Sequence, residues 1–426
     1  MKKVFASILT IGDELLIGQT VDTNSTWMAR ALNEIGVWVK RRTAVGDDWN
    51  EIWNALDEES THADIILITG GLGPTADDIT KPLLCKYFGG TMVENEAVKN
   101  HIIDIFTRMK RPLLDRNLRQ AEVPDVCTVL FNERGTAPGM WFEKNGKIFV
   151  SMPGVPHEMK GIMEQHVLPR LPQYFTMPHI LHHTLLTAGA GESFIAERLQ
   201  GFEAGLPENM KLAYLPNYGM VRLRLTVIGE DKASLQASLN HHFEILKKEV
   251  ADLLVIDRDE PLEKALGNLL RTYGKTVATA ESCTGGYISH LITSIAGSSD
   301  YYKGSVIAYA YDAKEKLLGV NHPLMLERGA VSEEVVTQMV AGVLEQTGAD
   351  FAVATSGIMG PGGETPDKPV GTVWMAAGSA NKIIAKKAHF RFDRKKNIEI
   401  TANHALHYLY EFIRKETAAV DSASNL

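Results

Sequence analysis

Cysteine is scarce, with three in 426 residues. Cys85, Cys127 and Cys283 are odd in number, lie far apart and form no C-x-x-C, so their spacing offers neither a disulfide framework nor a zinc site. Long apolar runs are missing as well, and none reaches the ~18 residues that a bilayer-spanning helix needs. Positive charge is in deficit: 44 Lys and Arg stand against 52 Asp and Glu, for a net charge of −8. No basic block is interleaved with aromatics. This balance gives no general attraction to nucleic acid or to an anionic membrane surface. The start, Met1-Lys2-Lys3-Val4, reaches Asp13 and Glu14 without an apolar stretch and a small-residue cleavage site, so a cytoplasmic location is expected. Internal repeats and low-complexity tracts are also lacking.

What is present is the composition of an ordinary globular protein, 45% hydrophobic and 23% charged. At roughly 150 residues per domain the length suggests about three. The first segment alternates strand and helix signals, as a parallel sheet covered on both faces requires. Residues 4–11 read as a strand. Trp27, Met28, Ala31, Leu32 and Ile35 then recur at helical spacing before Gly36. Residues 37–45, 52–56 and 65–69 repeat the cycle. The βα turns place Asp13, Glu14, Asp22, Asn24 and the turn Gly70-Gly71-Leu72-Gly73-Pro74-Thr75-Ala76-Asp77-Asp78 at the carboxyl edge of the sheet, where α/β proteins bind ligands. A strand at 148–152, the turn Pro153-Gly154-Val155-Pro156 and a helix through Val167 close this segment.

Residues 169–178, with three prolines, read as a linker. A compact α+β unit follows, with strands near 181–187 and 221–228, a helix near 194–199, and a long helix ending near Val250. Beyond Asp257-Arg258-Asp259-Glu260-Pro261, strands are expected at 277–280, 306–309, 351–356, 370–377 and 383–389. Residues 418–426 are small and polar and are expected to be a disordered tail.

Two turns name a chemistry. In Ala280-Glu281-Ser282-Cys283-Thr284-Gly285-Gly286, a hydroxyl and a thiol sit between a strand and a helix. Backbone N–H groups there suit a phosphate or an oxyanion. A serine needs a base, and Lys314, five residues after Tyr309, is a candidate that on spacing alone reads more readily as a solvated surface lysine. Cys283 reads as a buried small hydrophobe. The glycines of Gly357-Ile358-Met359-Gly360-Pro361-Gly362-Gly363 fit either a close backbone approach or a flexible hairpin. At the other turn, Asp77 and Asp78 suit a hard divalent cation or simply complement a helix N-terminus. His179, His182 and His183 fall outside every motif and read as surface residues.

Taken together, Glu281-Ser282-Cys283-Thr284-Gly285-Gly286, Tyr309 with Lys314, Gly329-Ala330-Val331-Ser332, Ser356-Gly357-Ile358-Met359-Gly360-Pro361 and Lys368-Pro369-Val370-Gly371-Thr372 resemble the carboxyl-terminal domain of the CinA (competence/damage-inducible) family. That domain is similar to the PncC-type nicotinamide mononucleotide (NMN) amidohydrolase. The resemblance implies Ser282 as nucleophile, with Tyr309 and Lys314 as the other catalytic residues and either as base. It further implies substrate contacts from Thr284, Gly285, Gly286, Ser356, Gly357 and Arg394, and no cofactor. A second arginine usual in the family is replaced by Asn397-Ile398-Glu399.

Upstream, Gly12-Asp13-Glu14-Leu15-Leu16, Asp22-Thr23-Asn24-Ser25, Gly70 to Asp78 with Thr80, Asn117 with Arg119-Gln120-Ala121, Gly135-Thr136-Ala137-Pro138-Gly139 and Pro153-Gly154-Val155-Pro156 with Glu158 resemble the family's molybdopterin-binding MoaB/MogA-like domain. The resemblance implies metal-dependent ADP-ribose hydrolysis to AMP and ribose 5-phosphate. It gives Glu14, Asp77 and Asp78 to a divalent metal, Gly71, Gly73 and Thr75 to a phosphate cradle, and Asp22, Asn24, Asn117 and Gln120 to substrate. Pterin handling, or a non-catalytic role in competence or DNA damage, are the alternatives. The expected architecture is α/β throughout: a parallel or mixed-sheet domain (1–170), a small α+β domain (171–257), an α/β amidase domain (258–417) and the tail (418–426). NMN and ADP-ribose are the expected small-molecule partners, with no nucleic acid, no membrane and a homodimer as the assembly.

Overall fold

The computed structural model describes residues 3–75, 78–217 and 219–424. The chain forms two compact units, residues 1–182 with 226–239, and residues 183–225 with 240–426. In the first, a six-stranded sheet runs in the order Trp38–Val45, Phe5–Ile11, Ile65–Thr69, Lys147–Met152, Gly139–Lys144, Thr128–Leu130. The first four strands are parallel and the last two antiparallel. All five residues of Ile65–Thr69 are buried, the mark of a parallel strand covered on both faces. Side-chain alternation decides which cover each residue meets. Ile8, Ile65 and Leu67 pack with Met28, Leu32 and Met159. Leu9, Ile66 and Ile68 pack with Ile52, Leu56 and Leu83.

The prolines at 169–178 do not mark a free linker. Leu171 is fully buried in the core that holds Met28 and Met159, with Phe175 and Met177 packed beside it. A Cβ on Gly36 would lie 2.0 Å from the Pro178 carbonyl. Proline there shapes a tight helical turn, Leu171–Gln173, rather than a spacer.

A four-stranded sheet runs in the order Met210–Asn217, Met220–Gly229, His179–Ala188, Leu254–Ile256. Its two outer strands carry no alternating pattern. The carboxyl-terminal sheet runs Tyr302–Ile307, Val277–Glu281, Phe351–Gly357, Thr372–Ser379, Lys382–His389. Its first three strands are parallel and the last two antiparallel. The strand expected at 306–309 begins earlier and ends at Ile307, which leaves Ala308 and Tyr309 on the loop at the carboxyl edge. The helix Arg394–Ser424 carries the chain past 417, where a disordered tail was expected. Arg414, Lys415, Glu416 and Ala418 are good helix formers, so the helix runs on through the boundary expected at 417. Residues 425 and 426 lie outside the described residues.

Candidate active sites

Ser282 follows the buried strand Val277–Glu281, and its backbone N–H donates to Thr355 O at 3.0 Å on the neighbouring parallel strand. The turn then needs two glycines. Gly285 and Gly286 take φ of +58° and +97°, and a Cβ on Gly286 would also press on Ile307 Cδ1 at 3.0 Å. Lys314 lies on the buried side of the helix Tyr311–Leu318 and is 1% exposed. Its Nζ stands 2.9 Å from Ser282 Oγ, 2.8 Å from Ala308 O and 2.9 Å from Tyr309 O. Lys314 is therefore not a solvated surface lysine.

Burial lowers the Lys314 pKa to about 8, against a small opposing pull from Cys283. A neutral amine has two N–H groups and one lone pair. The two carbonyls take the N–H groups, so the lone pair is left facing the serine hydroxyl. That is the arrangement of a general base on a nucleophile. Tyr309 joins the site through its carbonyl. Its phenol, 61% exposed, accepts instead from Arg394 Nη2 at 2.9 Å, while Arg394 Nη1 donates to Gly360 O at 2.7 Å. Asn397 is fully buried and ties the same loop down, donating to Met359 O and Phe392 O. Cys283 is buried, and burial pushes its thiol up to about 12.

The oxyanion donors differ from expectation. Glu281 is fully buried and holds the turn from inside. Its carboxylate accepts from Thr284 Oγ1 at 2.7 Å and from the N–H groups of Gly286, Ile288 and Ser289 at 3.0, 3.1 and 2.8 Å. Gly285 N–H goes to Ser282 O. An internal carboxylate thus occupies the helix start that the sequence seemed to offer to substrate. Of the three expected donors, only the N–H of Thr284 keeps no acceptor among the described residues. Ser356 donates to Ala330 O at 2.8 Å, and at Gly357 a Cβ would come within 2.8 Å of Val373. Both shape the floor of the turn.

In the first unit, a cavity of about 410 Å³ opens at the carboxyl edge of the parallel strands. Glu14, Asp47, Asp78 and Glu158 line it, with Gly71, Gly73 and Gln120. Asp78 is committed to its own loop: it accepts from Gly73 N at 2.7 Å and from Thr75 N at 2.9 Å. Those N–H groups are therefore spent on Asp78 and do not form the expected phosphate cradle. Gly71 is needed for contact, since its φ is +63° and a Cβ would meet Thr80 Oγ1 at 2.1 Å. Gln120 is buried in the wall. Asp22 caps the helix Thr23–Glu34 through Ser25 N. Asn24 donates to Gly154 O at 2.7 Å and lines a neighbouring cleft of about 110 Å³ with Asp22 and Glu14. Asn117 accepts from Leu114 N in its own turn. Asp77 lies outside the described residues, among which no three His, Cys, Asp or Glu side chains form a group that would hold a metal ion.

Three family models match in succession: a probable molybdopterin binding domain over residues 7–173, a damage-inducible protein CinA KH domain over 182–254, and a CinA C-terminal domain over 259–413. A CinA-like protein of Cytophaga hutchinsonii is 44% identical over 94% of this chain and 96% of its own. The chain belongs to the CinA family. A CinA-like protein of Flavobacterium psychrophilum is 42% identical, covering 96% of this chain and 99% of that one. A solved competence damage-inducible protein A from Klebsiella pneumoniae is 33% identical, covering 35% of this chain and 93% of that one, with a TM-score of 0.35.

Two residues of this CinA-family chain went unassigned in the sequence. Glu281 opens the motif that runs to Gly286, but its role depends on the N–H groups folding back onto it, which spacing does not reveal. Glu158 lies in the motif after Pro156. In the fold it accepts from Asn132 Nδ2 at 2.7 Å, packs where a Cβ on Gly135 would stand, and faces the cavity. Burial raises its pKa, with Asn132 and His157 pulling it back.

Proposed function

We propose that the carboxyl-terminal half hydrolyses the carboxamide of NMN to nicotinate mononucleotide and ammonia, and that the amino-terminal half hydrolyses ADP-ribose to AMP and ribose 5-phosphate. The observation that carries the first reading is the buried lysine amine 2.9 Å from the serine hydroxyl. Lys314 Nζ takes the hydroxyl proton as Ser282 Oγ bonds to the carboxamide carbon. The oxyanion faces the N–H of Thr284. Collapse breaks the C–N bond, and Lys314 returns the proton to the departing nitrogen as ammonia. Water, deprotonated by the same amine, then cleaves the acyl ester, which releases the carboxylate and restores Ser282. Arg394, with N–H groups beyond the two that hold Tyr309 and Gly360, supports the anionic end of the nucleotide.

For the amino-terminal half, the support is a cavity walled by carboxylates and glycines. Its donor set is all oxygen, which fits a hard cation held by one or two carboxylates and by the substrate's own phosphates. Glu14 and Asp47 are the wall carboxylates that would hold it. Such a cation, when bound, offsets charge on the diphosphate. Glu158, its pKa raised by burial, is the side chain that takes a proton from the attacking water. Asp78 keeps the Gly73 to Thr75 loop in shape.

The test is incubation of the purified chain with NMN and with ADP-ribose, each with and without divalent ions. Ammonia from NMN and AMP from ADP-ribose are expected. If correctly folded protein yields no ammonia from NMN, the amidase reading fails.

A further inference from the structure

A cavity of about 660 Å³ in the second unit takes no part in either reaction. One wall is the turn Gly189-Ala190-Gly191, which leads into the 13-residue helix Glu192–Ala204, whose start has no side-chain cap. The other wall comes from the carboxyl-terminal domain: Lys386 on the strand Lys382–His389, and Lys396, His404 and His407 on the helix Arg394–Ser424. On a chain whose net charge is −8, two lysines and two histidines meet at one concavity. Glu192 is the single carboxylate among the described residues of the lining.

Three features point to an anion there. First, the walls close in on one another: at Gly219, with φ of +75°, a Cβ would stand 2.8 Å from His404 Nε2, so the loop and the histidine share the rim. Second, cations around the cavity add to burial in keeping one of its histidines neutral. The pKa of His407 falls to about 4, chiefly through burial and further through His404, Lys386, Arg414 and Lys415. Third, the open helix start adds N–H groups and partial positive charge from the opposite side. Ammonium groups on one wall and backbone N–H groups on the other suit a phosphate between them. The volume suits a ligand of mononucleotide size.

We propose that this cavity is a third site, separate from both hydrolytic centres, which binds a small phosphomonoester of nucleoside monophosphate size.

The experiment uses the full chain, with inorganic phosphate and AMP as probes, followed by the imidazole proton resonances of His404 and His407 in NMR spectra. The resonances are assigned with His404→Asn and His407→Asn. Both signals are expected to move with saturable dependence on either probe. Lys386→Glu lies on an exposed stretch of strand and is expected to weaken that response tenfold or more while NMN turnover stays unchanged. Lys386→Gln, which keeps the side chain's length without reversing its charge, is expected to fall between. The proposal is overturned if neither probe moves the two signals in folded protein, or if Lys386→Glu leaves the titration as it was. It is equally overturned if only a single-stranded RNA oligonucleotide moves them, because the site would then read a polymer backbone.

Discussion

Of all the side chains here, Lys314 carries the sharpest chemical commitment. Buried at 1% exposure and placed between two carbonyls and a hydroxyl, it serves the proposed reaction only when neutral. With its pKa lowered to about 8, NMN turnover is expected to rise as pH climbs through 8 and to flatten above it. A pH–rate profile flat from 6 to 9 contradicts this role. Lys314→Met keeps the bulk, removes the base and should cut kcat on the order of 10²–10⁴-fold with a small change in KM. Lys314→Arg is not expected to rescue, because a guanidinium keeps its proton. Ser282→Ala should abolish ammonia release altogether, as measured by a coupled ammonia assay.

At the level of strand, turn and helix, the motif from Glu281 to Gly286 depends on Glu281. Its carboxylate gathers the hydroxyls of Thr284 and Thr279 and three N–H groups at the start of the helix Tyr287–Thr293. Glu281→Gln turns one acceptor oxygen into a donor that faces other donors. Loss of charged hydrogen bonds of this kind costs about 1.5–3 kcal/mol each, partly recovered by relaxation. The variant is expected to melt several degrees lower and to lose kcat more than KM, because the turn that aims Ser282 loosens. Unchanged melting and turnover would show that the N–H groups find other partners. This motif also marks what the sequence could tell. The five residues of Ile65–Thr69 and the glycine turns were legible, since each is a local pattern of burial or backbone need. The partnership of Ser282 with Lys314 came from family resemblance, because 32 residues separate them and the lysine's own neighbourhood looks like surface. The edge strands Met210–Asn217 and Leu254–Ile256 were not legible. Edge strands need no alternation, and one of these carries a proline that a central strand excludes. The commitment of Asp78 and Glu281 to backbone N–H groups was hidden for a related reason: a carboxylate beside glycines looks the same whether it faces ligand or its own loop.

Across the whole molecule, two buried lysines couple folding to pH. Lys314 and Lys81 both have pKa lowered to about 8, each chiefly by burial. Lys81 donates to the carbonyls of Arg119, Gln120 and Glu122 in the first unit, so each unit holds one such group. The unfolded chain titrates lysine near 10.4. Between pH 8 and about 10, therefore, the unfolded chain binds more protons than the folded one, and stability rises with pH, by up to ~1.4 kcal/mol per pH unit for each lysine. Below 8 both states are protonated and the slope vanishes, with the cost of the buried charge fully present. Cys283, pushed up to about 12 from the usual thiol range, acts in the opposite sense. The unfolded thiol ionises first, so stability is lost above pH 9. The lysine effect is thus clearest between pH 8 and 9, where urea midpoints at constant ionic strength should move upward. Lys81→Met should flatten that rise for the first unit alone, and Lys314→Met for the second. If neither substitution changes the dependence, the buried amines are not neutral in the folded protein, and the base assigned to Ser282 loses its physical ground.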